Sequence, residues 1–88
     1  MIRLEGKIFK ANLVLRNAVC EQEETGNGFV KDLEKCFINL CRELAVPIPL
    51  WLEKNTKEFA RFRQTLFFEE QFTDNINFDR FQIKLLKE

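Results

Sequence analysis

Residues Phe29 to Leu44 read FVKDLEKCFINLCREL, and this stretch decides the fold. At 100° per residue, Phe29, Val30, Leu33, Cys36, Phe37, Leu40, Cys41 and Leu44 fall within an arc of roughly 140°. Lys31, Asp32, Lys35, Asn39, Arg42 and Glu43 take the other side, with Ile38 near the middle of that polar face. The spacing predicts one amphipathic helix whose apolar face is wide enough to lie on a sheet. The polar linker EQEETGNG, Glu21 to Gly28, opens it, with Asn27 as the expected N-cap. Phe29 and Val30 follow the linker where a phosphate-binding loop would need Lys and Ser or Thr, so the linker reads as a connection.

Toward the N-terminus, Met1 to Glu21 alternates as a β-hairpin does, with Ile2, Leu4, Ile8, Leu13, Leu15 and Val19 expected on one face. A two-residue turn at Ala11-Asn12 pairs Ile8 with Leu15 and Leu4 with Val19. It also sets Lys7 against Arg16, a like-charge cost. A one-residue change would instead put Leu4 against Ala18 or Cys20. Gly6 inside the first strand signals a bulge or a close neighbour.

Toward the C-terminus, Val46-Pro47-Ile48-Pro49 stops the central helix, and Pro49 suits the first position of another. Leu50 to Phe67 has two readings. One is a single helix carrying Ile48, Leu52, Phe59, Phe62 and Leu66 as a stripe. The other is a break after Lys54, with Asn55 capping a second helix and Glu58 at its N3 position. The break is preferred, because Asn55 inside the stripe would need a buried partner. Glu69 to Asn77 reads as loop, and Phe78 to Leu86 as a strand with Phe81, Ile83 and Leu85 on its buried face. The expected architecture is α+β in the order β-β-α-α-β: a three-stranded, mainly antiparallel sheet under two helices. The C-terminal strand is expected beside the first.

Composition excludes several functions. With 88 residues the chain is expected to be one domain. Fourteen basic and fourteen acidic residues cancel, so any pull on a polyanion must come from a local patch. No apolar run is long enough to span a membrane, and MIRLEGKIFK lacks the apolar core of a secretory signal. A cytoplasmic protein without membrane association is therefore expected, with Cys20, Cys36 and Cys41 as free thiols. There is no histidine and no serine, which removes the commonest base, metal ligand and nucleophile. Glu23/Glu24 and Glu69/Glu70 sit in polar segments and read as solvated charge. No catalytic residue, metal site or cofactor is expected.

Two surface features remain. Lys54, Lys57 and Arg61 form a basic ridge, with Arg63 to one side, that could track a phosphate backbone. Ile38, Trp51, Phe67 and Phe68 are surplus apolar residues that suit an interface. The sequence thus leads us to expect a small non-enzymatic interaction or regulatory module. Its partner would be another protein or a second copy of itself; a nucleic acid bound along the ridge is the alternative.

Overall fold

The computed structural model describes residues 1–87. The order is β1 (Ile2–Lys10), β2 (Leu13–Gln22), α1 (Phe29–Leu44), α2 (Glu53–Phe62), β3 (Gln64–Phe68) and β4 (Arg80–Lys87), with a 3-10 turn at Glu69–Gln71. The four strands form one antiparallel sheet in the order β2-β1-β4-β3. One face of the sheet is buried under α1 and α2. The other carries polar residues such as Arg3, whose Nε donates to Glu21 across the hairpin at 2.8 Å.

The central helix occupies the predicted residues, and Cys36, Phe37, Leu40, Cys41 and Leu44 are buried along it. The core under them comes from alternate positions of the two inner strands: Ile2, Leu4 and Ile8 from β1, and Phe81, Ile83 and Leu85 from β4. The expected neighbour relation of first and last strands holds, with Gly6 opposite Ile83 and Ile8 opposite Phe81. Gly6 marks a close approach. A Cβ there would lie 2.8 Å from Leu44 Cδ1 and 2.9 Å from Leu40 Cδ2, so its hydrogen is what lets α1 settle onto β1.

Several expectations are corrected. The sheet has four strands, not three, because residues 64–68 form β3 where a helix was expected to run to Phe67. Arg63 takes the left-handed conformation (φ 60°) and ends α2 without a glycine or proline to announce it. As a strand, 64–68 sends Thr65 and Phe67 inward and Gln64, Leu66 and Phe68 outward, which resolves the adjacent phenylalanines.

The hairpin turn is Ala11-Asn12, both with positive φ, but the register changes beyond it. Phe9 faces Val14 whereas Ile8 faces Arg16, so Leu15 is an extra residue bulged out of β2. Leu4 consequently meets Cys20, not Val19, and Lys7 meets Asn17, which removes the like-charge pair. Leu13, Leu15 and Val19, expected in the core, are exposed. The small residues Ala18 and Cys20 lie beneath α1 instead.

Helix starts also differ. The N-cap of α1 is Gly28 (φ 104°), not Asn27. The start is secured by Asp32, placed on the polar side by the wheel but buried here. Its carboxylate accepts from the Thr25 backbone N–H (3.1 Å) and hydroxyl (2.7 Å). Pro49 does not begin a helix; α2 starts at Glu53. Asn55 is therefore not a cap but the third residue of α2, fully buried, and its Oδ1 accepts from the Leu52 N–H at 3.0 Å.

Candidate functional site

Asn55 anchors the side of the fold that shapes the main concavity. Its amide donates to Thr65 Oγ1 (2.8 Å) and to the Leu66 carbonyl (3.0 Å), and its Oδ1 also accepts from Gln71 Nε2 (2.8 Å). Gln71 in turn donates to the Leu50 carbonyl (3.1 Å) and accepts from the Phe68 N–H (3.1 Å). Thr65 donates to Glu58 at 2.6 Å. Among the described residues no buried side-chain polar atom lacks a partner. This network fixes α2, the segment 50–52 and β3 relative to one another, and so sets one wall of a cleft.

The cleft runs between α1 and α2 and encloses about 780 Å³. Its floor is the aromatic group Phe37, Trp51 and Phe59. Trp51 meets Phe37 edge-on at 5.7 Å and Phe59 at 5.8 Å between ring centroids. The indole N–H donates to Thr56 Oγ1 at 2.7 Å, so the ring is held at both ends and needs no polar group from a ligand. The α1 wall is Phe29, Val30, Leu33 and Ile38; Ile48, Pro49, Thr56 and Ala60 add to the lining. Val30 is 73% and Ile48 55% exposed, so the cleft is an apolar surface left open. Glu34 and Arg63 bring one charge of each sign to it.

Ile38 and Trp51, singled out as interface residues, meet in this cleft. Phe67 is not part of the lining: it is fully buried beneath it, tilted against Trp51 and stacked on Phe37, each at 5.5 Å between centroids. Phe68 lies on the outer side of β3 beneath Lys54 Nζ, 5.1 Å from its ring centroid. Phe29, Val30 and Ile48 were missed as site residues. The wheel put Phe29 and Val30 on the core face, yet both are exposed and line the cleft. Their only signal was position, at the end of the apolar stripe beside a glycine linker.

The basic ridge is a partly neutralised row. Lys57 pairs with Glu53 at 3.3 Å, and Arg61 stacks over Phe62 at 5.4 Å. Arg63 stands apart from it, lining the apolar cleft.

No set of three His, Cys, Asp or Glu side chains among the described residues is placed to hold a metal ion. The three thiols are free, and Cys36 Sγ lies 3.5 Å from the Cys20 carbonyl oxygen. Burial pushes the Cys36 thiol up to about 11 and the Cys41 thiol up to about 12, which keeps both protonated and unreactive at neutral pH. Burial, with the Glu43 carboxylate nearby, raises Cys20 less. The Thr25 hydroxyl and N–H hold Asp32 below the usual carboxylate range. None of these four groups lines the cleft. Among the described residues no helix is long and apolar enough to cross a membrane. Protein-family models, curated proteins and solved structures all give no match to this chain.

Proposed function

We propose that this chain is a small protein-interaction module whose α1/α2 cleft receives an apolar helical segment of another protein. The observation that carries the reading is the cleft itself: an open apolar groove of about 780 Å³ over a braced aromatic floor. Its two long walls are the helices α1 and α2, whose backbone groups are bonded within each helix, and the segment 48–51 closes one end. An extended peptide laid there would leave its own N–H and C=O groups without partners. A helix brings those bonds with it and needs only apolar residues at i, i+3, i+4 and i+7 to fill the groove. A small polar substrate would need several convergent polar groups to orient it, and Thr56 already accepts from Trp51.

Trp51 is the single tryptophan and so reports on the cleft directly. The test is titration with a designed amphipathic helix of about four turns, leucines at those positions, against a control with two leucines changed to aspartate. Saturable change in Trp51 emission is expected with the first peptide only. Val30→Asp and Ile48→Asp, both at exposed positions, should weaken it at least about tenfold while circular dichroism stays unchanged. No saturable signal, or equal response to both peptides, overturns the reading.

A further inference from the structure

The two edges of the sheet are treated differently. The β3 edge is five residues long, and its Leu66 carbonyl and Phe68 N–H are taken by the side chains of Asn55 and Gln71. The β2 edge is ten residues long, has no proline or lysine, and exposes Leu13, Val14, Leu15 and Val19. Beyond the Leu15 bulge, residues 16–22 run in regular register, and a regular edge of that length is a template for adding a strand. We infer that β2 pairs antiparallel with β2 of a second copy about a two-fold axis at Val19, joining two four-stranded sheets into one of eight strands.

The position of the axis follows from how α1 lies over the edge. Three ties run along it: Asp32 to Thr25, Cys36 to the Cys20 carbonyl, and Ala45 beside Arg16 in one concavity. The helix therefore runs antiparallel above β2, and interpolation between the last two ties puts Asn39 over Ala18–Val19. The flank of α1 turned away from the cleft carries Lys35, Asn39 and Glu43, all exposed. Lys35 and Glu43 are each four residues from Asn39, on opposite sides. A two-fold axis through Val19 and Asn39 thus brings each Lys35 to the Glu43 of the other copy, twice. A residue pattern that complements itself across one point is what a closed two-fold interface requires.

The strand and helix layers agree with that axis. Pairing Val19 with itself sets Ala18 opposite Cys20, Asn17 opposite Glu21 and Arg16 opposite Gln22, with no like charges opposed and every side chain kept on its own face. Because α1 packs across both β1 and β2, its axis lies about one strand spacing, ~4.8 Å, from the two-fold. The two helices then run about 9–10 Å apart, the ordinary distance for packed helices. The α1/α2 cleft lies on the other side of α1, so both copies keep it open.

Light scattering after size exclusion across about 5–300 µM tests the inference, that range spanning the dissociation constants of weak homodimers. A dimer of the 10.5 kDa chain is expected. Lys35→Glu and Glu43→Lys should each weaken it about tenfold or more, and the double exchange should restore it. Val19→Lys, at an exposed site, places two lysines on the axis and should give monomers. Val19→Cys should cross-link under mild oxidation while the wild-type chain, whose Cys20 faces Ala18, does not. The cleft variant Val30→Asp should leave the dimer intact, which separates this interface from the docking groove. A monomer throughout, a dimer indifferent to the charge changes, or one abolished by Val30→Asp overturns the inference.

Discussion

The β1–β2–α1 half and the α2–β3 half of this molecule are held by opposite means. In the first, Leu40 and Leu44 press onto Gly6, and Cys36, Ile2, Leu4 and Ile8 fill the space around them; all of these residues are buried. In the second, a buried amide pair, Asn55 and Gln71, replaces the backbone partners that a fifth strand would have supplied to β3. Apolar packing tolerates inexact partners and grades its cost with volume. A buried polar network is all or nothing, since each lost partner leaves a desolvated group behind. The seam between the halves is aromatic, with Phe37 of α1 stacked on Phe67 of β3 and on Phe81 of β4.

The largest expected effect lies in the apolar half. Leu40→Ala should cost about 2–5 kcal/mol in urea unfolding, the range for a fully buried leucine. In the polar half, Asn55→Ala should cost about 3 kcal/mol, because four bonded groups lose their partner at once. The comparison sharpens with double variants. Asn55→Ala with Gln71→Ala should fall short of additivity by about 1–2 kcal/mol, whereas Leu40→Ala with Asn55→Ala should add. Equal coupling in both pairs would show that the two halves are not held by different means.

Gly6→Ala should destabilise by about 1–2 kcal/mol, since its methyl meets two leucine ends that can yield only in part. Smaller still is the replacement Ala45→Gly, which should raise stability by about 0.5–1 kcal/mol. Ala45 closes α1 at φ 56°, a conformation glycine adopts at no steric cost. Asp32 supplies a pH arm to the same comparison. Its folded pKa is depressed by Thr25, so its contribution is present above the ordinary carboxylate value and is lost as pH falls through the folded one. Asp32→Asn should therefore lower the melting temperature at pH 7 and leave a flatter acid limb below about pH 4. An unchanged acid limb would show that the Thr25 bonds do not secure the start of α1.

Legibility in the sequence followed the same division. Helical periodicity finds α1 at its observed ends, and period-two alternation finds β1 and the inward face of β4, because apolar packing writes itself as spacing; in β2 it finds the strand but names the exposed face as the buried one. Placing β4 beside β1 also held. The start of α2 and the strand at 64–68 escape a reading by spacing for a physical reason: their organising residues, Asn55 and Gln71, look in isolation like a cap and a loop amide. Phe59, Phe62 and Leu66 keep helical spacing across a chain reversal at Arg63 that no glycine or proline marks. The candidate cleft was legible only as an excess of apolar residues, with Ile38 and Trp51 identified and Phe29, Val30 and Ile48 assigned elsewhere.

What the sequence determined by itself was the set of apolar faces and the absence of histidine and serine chemistry, since both depend on residue type and local spacing alone. What only the tertiary structure decided was which faces found a cover. Whether the first turn of α1 is covered, whether Leu15 bulges out of β2, and whether the amides of Asn55 and Gln71 reach the edge of β3 all depend on residues distant in sequence. Periodicity fixes which side of an element is apolar. Only the closure of the chain onto itself fixes what stands opposite.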